Sequence, residues 1–495
     1  MAGNSRAIKT SGQVKIYLDK AAKPIIVQYG GGSLSAHGGL VLVAQVDKAF
    51  KFLEQAGSLI EEWRTDILIL HNKLDLLKQR VYQIAVGLED TNDADIILKD
   101  PVFQAVLGKD TSSEETAASQ ETLSRFENNV SEATLEALSA FFVDFYIACR
   151  ASGSRYRGSR EIVISLDGSA QEAYGCQEGA IYRGGKYKKE MFFPLYIVTD
   201  DGWLLGASLR KGDAAESAAL PLLKPIVEKL RARWPHVRIL LVGDAAFCGP
   251  AWYDWAEDNK VIYELGLKSN SALDIDFKEP YAESEQKFKK IHGEPKYLGK
   301  AKDKAAHKEH VRIRNLAKDE RMAAEKVERH RRVRVFAESE YQARGWRKER
   351  RIIARVDYSD KGKDVRLVIT NKTTKLPEQI YEEYGHHRGM TEQYIDGLKN
   401  HCRLKLSCQS FMANKFRCIL HGLAYQLMLL LKQQLPAKIA DMNLKSIRDR
   451  IINVAVKVIP KAKHILFLLT DTIQNKHAYL SLFQKLNNLR PLSSA

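Results

Sequence analysis

The chain has 495 residues, of which 45% are hydrophobic and 28% are charged, and this composition is typical of a soluble globular protein of two or three domains. Its formal net charge of +16 favours a polyanionic partner, nucleic acid before membrane, because no lipidation motif or basic amphipathic anchor stands out. Residues 1–10 lack the apolar core of a signal peptide, which argues against secretion. The six cysteines form no CxxC pair, so they indicate a reducing cytoplasm and argue against a zinc knuckle.

Residues 1–155 are predicted to form a helical N-terminal region. Apolar residues recur at three- and four-residue spacing in Gln79–Gly87 and in Leu135–Ala148. The polar stretch Lys109–Gln120 is predicted to be an exposed loop between helices.

Residues 156–270 show the pattern of a mixed α/β fold. A short β-branched run, 161–166, stops at Asp167-Gly168. The segments that follow are predicted, in order, as strands Met191–Thr199 and Trp203–Leu209, helix Leu220–Arg233, strand Val237–Gly243 ending at Asp244, helix Pro250–Asn259 and strand Val261–Leu267. Three strands, a helix and a buried strand in this order predict the first part of an RNase H-like core.

Residues 271–370 are predicted to be a basic, β-containing insertion into that core. Residues 286–355 hold 23 Lys/Arg and 10 Asp/Glu, a surplus of 23 − 10 = +13. The surplus favours a DNA-facing surface over a solvated charged helix, although Glu320–Arg334 carries opposite charges four residues apart. Two strands are predicted, at Arg350–Val356 and Arg366–Thr370. His307 and His310 are spaced like half a metal site but have no cysteine partner, so a solvated face is the favoured interpretation.

Residues 371–435 are predicted to complete the core, and residues 436–495 to form a helical C-terminal region. Pro377–Asn400 has helical character. Ile419–Leu431 is the most apolar stretch of the chain, but it is too short to cross a bilayer and is interrupted by polar residues. It is therefore predicted to be a buried helix.

Two kinds of acidic position indicate a metal site. Asp167 and Asp244 each follow an apolar strand, where a carboxylate is held rigidly and can bind a hard cation. For either aspartate taken alone, a structural role in a turn explains its position equally well. Arg388, Glu392 and Lys399 stand at i, i+4 and i+11, which places them within about 40° of one another on an ideal helix. The alternative to a metal-binding role for this helix face is an ordinary Arg–Glu ion pair on the protein surface.

With these motifs the sequence resembles the DDE transposases of bacterial insertion sequences, in particular the insertion-sequence 1380 family. The resemblance covers nearly the whole chain and rests on a set of short matches: Gln79–Asp93 with its run Gly87–Asp93, Thr122–Asn128, Leu166-Asp167-Gly168, Gly243–Phe247, Ile369–Asn371 and Arg388-x3-Glu392-x6-Lys399. It implies an RNase H-like core interrupted by a β-rich insertion, with Asp167, Asp244 and Glu392 as catalytic and metal-binding residues. The family pattern has a Tyr three positions before the Arg, whereas this chain has Gly385 there and Tyr384 one residue earlier.

The resemblance implies an enzyme that binds terminal inverted repeats and catalyses DNA cleavage and strand transfer with two Mg²⁺ ions, for which Mn²⁺ would substitute. Its partners would be double-stranded DNA, at the transposon ends and at the target, and a second copy of the chain in the synapsed state. Residues 1–155 would bind the DNA ends, and the protein would be cytoplasmic and nucleoid-associated. The alternatives are a structure-specific nuclease with the same core and a non-catalytic DNA-binding protein derived from a transposase.

The DNA-binding residues are expected on the helix and in the insertion. Arg388 and Lys399 would hold phosphates near the carboxylates. Trp346 stands among cations, so it would either stack on an unpaired base or pack on the insertion's own sheet. The other cations expected to contact DNA are Arg347, Arg350 and Arg351. Asn414 and Arg417 precede the apolar helix, where DNA contact, capping and surface exposure are all compatible with the sequence.

Overall fold

A computed structural model gives the structure of the chain. It describes residues 14–16, 25–27, 32–65, 69–109, 115–152, 161–185, 187–295, 331–401, 404–470 and 476–488, and the single residues 312, 316, 320 and 322. His307, His310 and most of Glu320–Arg334 therefore lie outside the described residues, as does much of the predicted loop Lys109–Gln120.

The N-terminal region is helical, as predicted, and also contains three short strands. The strands are β1 (Val14–Ile16), β2 (Ile25–Val27) and β3 (Leu34–Ser35). The helices are α1 (Leu40–Phe50), α2 (Phe52–Ser58), α3 (Lys73–Val86), α4 (Ala94–Ile97), α5 (Pro101–Val106), α6 (Gln120–Asn128) and α7 (Glu132–Ser152). Local chemistry sets their ends: the Asn72 side chain accepts a hydrogen bond from the Asp75 amide at the start of α3, and Gly87 ends that helix with φ of +98°.

An eight-stranded mixed sheet forms the centre of the molecule. Its first strands are β4 (Glu161–Gly168), β8 (Leu195–Thr199), β9 (Leu204–Ser208), β10 (Arg238–Gly243) and β11 (Ile262–Leu267). The order β9-β8-β4-β10-β11, with β4, β10 and β11 parallel and the other pairs antiparallel, is that of an RNase H-like core. Helices α8 (Leu220–Arg233) and α9 (Pro250–Asp258) follow β9 and β10. The predicted fold class is confirmed.

The predicted strand Met191–Thr199 is two strands. A small separate sheet contains β5 (Gln171–Glu172), β6 (Ile181–Arg183) and β7 (Lys189–Phe192), and Pro194 stands between β7 and β8. Proline has no backbone N–H to donate to a ladder, which explains why the pairing changes there. The small sheet follows directly after the strand that carries Asp167.

The strands of the predicted insertion extend the core sheet. After helices α10 (Ser271–Asp276) and α11 (Lys278–His292) come β12 (Arg332–Tyr341), β13 (Arg350–Ser359) and β14 (Gly362–Thr370). All three are antiparallel to their neighbours, and β14 pairs with β11, so the sheet continues as β11-β14-β13-β12. The insertion thus shares one sheet with the core and forms no sheet of its own among the described residues.

A long helix then crosses the sheet. Helix α12 (Pro377–Asp396) begins with proline, and the Leu376 amide donates to the Gln379 side chain. The helix contacts strands on both sides of β4, from β12 and β13 to β8. Its residue Tyr384 packs on Val163, Leu240 and Val242. A short π-helical segment, Gly397–His401, follows it.

The last part of the chain is mainly helical. It contains α13 (Phe411–Gln434), α14 (Ala437–Ala440), α15 (Leu444–Ile447), a π-helical segment (Arg448–Ile452) and α16 (Lys476–Asn487). It also contains the hairpin β15 (Val456–Pro460) and β16 (Ile465–Leu469), which pairs with β3. Residues 419–431 of α13 are all buried, as predicted. Among the described helices, none is long and apolar enough to span a bilayer.

A buried ion cluster joins the N-terminal region to α13. Glu127 lies between two arginines, with Arg80 Nε 2.8 Å from its Oε1 and Arg417 Nε 2.6 Å from its Oε2. All three side chains are buried, and Arg417 also lies 3.4 Å from Asp90. Asn414 is buried too, and its amide bonds the backbone of Cys408. The interpretations in which Asn414 and Arg417 contact DNA or face solvent are therefore wrong, because both side chains are buried and bonded within the protein.

Glu127→Gln should destabilise the protein, because it leaves two buried guanidinium groups without their shared carboxylate. We expect the free energy of unfolding, measured by urea denaturation, to fall by about 3 kcal/mol or more. The control is Glu121→Gln in the same helix, whose ion pair with Arg125 is solvent-exposed and whose loss should cost less than about 0.5 kcal/mol. Equal effects of the two substitutions would show that the cluster does not join the two regions.

Candidate active site

Two aspartates meet at one edge of the sheet. Asp167 is near the end of β4, and Asp244 directly follows β10. These strands are parallel neighbours, with Ser165 opposite Val242, so their carboxyl ends share an edge. The Asp244 carboxylate is fixed by the amide of Ala246, which donates to its Oδ1 at 2.8 Å.

Helix α12 brings the third carboxylate over that edge. Arg388 Nη1 lies 3.5 Å from Asp167 Oδ1, and Arg388 Nη2 lies 3.6 Å from Glu392 Oε1. The Arg388 and Asp167 side chains are mostly enclosed, at 14% and 16% exposure, whereas Glu392 is 69% exposed. The guanidinium group therefore lies between a sheet carboxylate and a helix carboxylate, and the i,i+4 pair predicted from the sequence is part of this larger contact.

The electrostatic environment of Asp167 reflects the whole group. Burial raises the pKa of its carboxyl above the ordinary value, and the nearby charges of Asp244 and Glu392 raise it further. Arg388 and Lys399 oppose this rise in pKa. The other four predicted residues, Asp244, Arg388, Glu392 and Lys399, thus all act on the Asp167 carboxylate, although Lys399 itself is exposed on the segment Gly397–His401.

Tyr384, also on α12, contacts the same edge of the sheet. Its hydroxyl donates to the Gly243 carbonyl at 3.3 Å, one residue before Asp244. Tyr384, Arg388 and Glu392 are four residues apart in succession, so they lie on one helix face. Gly385, by contrast, faces open space: a Cβ atom at this position would have no neighbouring heavy atom within 4 Å. The helical spacing of four is the sequence signal that would have identified Tyr384.

Trp346 and Arg350 belong to an enclosed cluster. The Trp346 ring makes edge contacts with Tyr253 and Tyr341, at centroid distances of 5.2 and 5.5 Å. Arg350 is buried, with Nε 2.8 Å from Glu257 Oε1. Its guanidinium carbon lies 5.5 Å from the Trp346 ring centre. These contacts favour packing of the tryptophan within the protein over stacking on a base, but its partners include Tyr253 of core helix α9, and the strands beside it belong to the shared core sheet.

Several other described arginines of the insertion are also paired with acidic residues. Arg347 is half-exposed and bonds Asp258 at 2.8 Å, and Arg351 bonds Glu338 and donates to the Lys372 carbonyl at 2.9 Å. Arg331 pairs with Asp360, and Arg332 and Arg334 pair with Asp357. Part of the positive charge of this segment is therefore offset by carboxylates that lie outside residues 286–355.

A family model described as "Transposase DDE domain group 1" matches residues 19–491. The chain belongs to this DDE transposase family. Among solved structures it resembles piggyBac transposase in a synaptic complex with hairpin DNA, at 11% identity over 92% of this chain and 86% of that chain, with a TM-score of 0.39. It also resembles Mos1 transposase in a paired-end complex with the left transposon end, at 11% identity over 41% and 61%, with a TM-score of 0.15. No curated protein matches the sequence.

The donor set of this DDE transposase fits a hard divalent cation. Asp167, Asp244 and Glu392 offer oxygen atoms alone, and the like charges that raise the pKa of Asp167 are those a cation would compensate. Among the described residues, no three His, Cys, Asp or Glu side chains are close enough together to hold a metal. Arg388 Nη1 is buried here without a hydrogen-bond partner. Metal binding therefore requires the carboxylates to draw closer and the guanidinium to move.

A second buried ion network holds the start of α12, and sequence analysis missed it. Lys372 Nζ lies 2.7 Å from Glu264 Oε1 on β11 and 2.9 Å from Glu383 Oε1 on α12. Burial raises the pKa of Glu264 to about 7, against the lowering effect of Lys372. Glu264 and Lys372 are 108 residues apart, so no local spacing reveals their pairing.

Glu264→Gln should change stability in a pH-dependent way in this transposase. Because the folded-state pKa is raised from 4.5 to about 7, the carboxyl stabilises the fold at acidic pH, and this contribution is lost as pH rises between those values. The free energy of unfolding of the variant, relative to wild type, should therefore rise by about 3 kcal/mol from pH 4.5 to pH 8. Urea denaturation at several pH values measures it, and a difference independent of pH would contradict the shifted pKa.

Proposed function

We propose that this protein is the DNA transposase of an insertion sequence related to the insertion-sequence 1380 family. It binds terminal inverted repeats, cleaves DNA strands and transfers them to target DNA. The observation that carries the proposal is the convergence of Asp167 and Asp244 at adjacent ends of parallel strands with Arg388 and Glu392 on the crossing helix. A structural turn or a surface ion pair accounts for one of these features, but not for their meeting.

In the proposed mechanism, Asp167, Asp244 and Glu392 would hold two Mg²⁺ ions, which would supply an activated oxygen nucleophile and stabilise the leaving oxygen. The charges of both other carboxylates act on Asp167, so this residue would contribute to holding both ions. Arg388 moves from its ion pairs to a phosphate, which its planar fork binds through two hydrogen bonds. Lys399 adds a point charge nearby, and Tyr384 fixes the helix against the strand before Asp244.

We propose that DNA passes over the edge of the sheet that carries the carboxylates. Arg388 and Lys399 contact phosphates there, and the half-exposed Arg347, together with Arg351, contacts DNA along the insertion. Arg350 and Trp346 support this surface from within, since Arg350 is buried. Residues 1–155 read the DNA ends, and two copies of the chain act on a pair of ends.

The triad is tested with a supercoiled plasmid that carries the gene and its flanking DNA. Asp167→Asn, Asp244→Asn and Glu392→Gln should each reduce Mg²⁺-dependent cleavage by at least about a hundredfold, because an amide cannot replace a charged metal ligand. DNA binding, measured by gel shift, should be retained. Cleavage at wild-type rates by all three variants would exclude the assignment, and cleavage without joining of a pre-cut end would indicate a nuclease.

The DNA surface is tested by the salt dependence of binding. Each lost phosphate contact should reduce the slope of log affinity against log salt by about 1, so Lys399→Gln with Arg347→Gln should reduce it by about 2. Arg238→Gln is the matched control, because Arg238 starts β10 at the opposite edge of the sheet from Asp244. An unchanged slope in the double variant would show that these cations face solvent only.

A further inference from the structure

The turn Asp200–Gly202 joins β8 to β9 and has an unusual backbone. Gly202 has φ of +89°, a conformation that side chains other than glycine rarely adopt. The Thr199 hydroxyl donates to Asp201 Oδ1 at 2.5 Å, and the Gly202 amide donates to the Thr199 carbonyl at 3.0 Å. The turn is therefore fixed in one shape by its own hydrogen bonds.

Three helices attach to this turn. The Tyr394 hydroxyl at the end of α12 donates to the Asp200 carbonyl at 2.9 Å, and the Tyr425 hydroxyl of α13 donates to the Gly202 carbonyl at 2.8 Å. Arg150 at the end of α7 lies 3.0 Å from Asp201 Oδ2. The turn thus contacts the N-terminal region, the helix that carries Glu392 and the buried C-terminal helix.

The absence of a side chain at Gly202 lets α12 come close. A Cβ built there would lie 2.7 Å from Tyr394 Cε1 and 2.9 Å from its Cδ1, which is closer than real Cβ atoms come. The ring of Tyr394 therefore lies against the backbone of the turn as well as bonding to it. Any larger residue at position 202 would push this end of α12 away.

Tyr394 is two residues after Glu392 on α12. Tyr384, ten residues before Tyr394 on the same helix, contacts the Gly243 carbonyl. The two hydroxyl contacts hold the helix at points about 15 Å apart along its axis, with Arg388 and Glu392 between them. Because the helix is stiff, its position at Tyr394 sets the position of the Glu392 carboxylate. Most of the Glu392 side chain is exposed, so this anchor supplies constraint that local packing does not.

The geometry points to Tyr394 and Gly202 as positioning residues that set where Glu392 meets the metal site; this rests on the proposed function. Displacing a ligand of a metal lowers both the affinity for the metal and the rate of the reaction, by about tenfold or more for residues that orient ligands. Tyr394→Phe removes the hydrogen bond alone, and Gly202→Ala pushes on the ring. Tyr394→Phe should act through Glu392 and not through the stability of the fold. Gly202→Ala also strains the backbone of the turn, because a φ of +89° disfavours any side chain, so its effect on Glu392 is measured as metal affinity and not as stability.

The test measures Mn²⁺ binding to the full chain by electron paramagnetic resonance, and Mg²⁺-dependent cleavage of the plasmid described above. Tyr394→Phe and Gly202→Ala should each weaken Mn²⁺ affinity and raise the Mg²⁺ concentration for half-maximal cleavage by about tenfold. If the clash acts through Tyr394, Gly202→Ala combined with Tyr394→Leu should have the same Mn²⁺ affinity as Tyr394→Leu alone, although the backbone strain at position 202 remains. Should Gly202→Ala fail to fold, Tyr394→Phe decides by itself.

Two matched controls separate positioning from general structure. Tyr425→Phe removes a hydrogen bond to the same turn from a helix that does not carry Glu392, and Gly206→Ala adds a methyl group on β9 at an ordinary contact of 3.5 Å from Ile226. Both should keep wild-type metal dependence. Glu392→Gln is the reference: if it loses metal binding while Tyr394→Phe and Gly202→Ala match wild type, the positioning inference is overturned and the proposed function stands. If Glu392→Gln itself matches wild type, the proposed function fails.

Discussion

Carboxylates brought together at one edge of a sheet repel one another, and the fold holds them there only if a cation compensates the repulsion. In this structure the compensating group is the guanidinium of Arg388, which lies between Asp167 on β4 and Glu392 on α12. The same contact joins the sheet to the crossing helix. This contact acts together with the Tyr384 and Tyr394 hydrogen bonds, which hold the same helix against the sheet and the turn after β8.

The exchange of that arginine for metal ions links the resting site to the proposed chemistry. Mg²⁺ offers the carboxylates the charge that Arg388 provides here, and a released guanidinium has its planar fork free for a phosphate. The anchors at Tyr384 and Tyr394 hold the helix backbone, so the exchange would require movement of side chains, those of Arg388 and the carboxylates, and not of the helix as a whole. The proposed site thus combines an anchored helix and two strand ends with side chains that would change partner.

Much of the core follows from local sequence, and the rest does not, for identifiable reasons. Helix Leu220–Arg233 has the predicted bounds, and the strand ends at Asp167 and Asp244 lie where apolar runs stop. Strand Arg332–Tyr341 was not predicted, because its alternating charges are typical of a solvated face, and its place is set by pairing with β13. The carboxyl-terminal hairpin Val456–Leu469 likewise depends on pairing with β3, more than four hundred residues away.

The insertion shows why a charge count over one segment can mislead. The surplus of +13 was counted over residues 286–355 alone. It therefore leaves out acidic partners that lie outside this segment, among them Asp254, Glu257 and Asp360. Those carboxylates hold arginines that the count treats as available for DNA. Similarly, helical spacing revealed Arg388 with Glu392, but the contact from Arg388 to Asp167 crosses two separate elements and is visible only in the fold.

A crystal structure of the chain with Mn²⁺ and DNA, with the metal located by anomalous scattering, would show whether Asp167, Asp244 and Glu392 form one two-metal site. We expect two peaks about 4 Å apart, with Asp167 bound to both, Asp244 and Glu392 bound to one each, and Arg388 turned towards a phosphate. Metal bound elsewhere, or Arg388 still between Asp167 and Glu392 in the DNA complex, would contradict it.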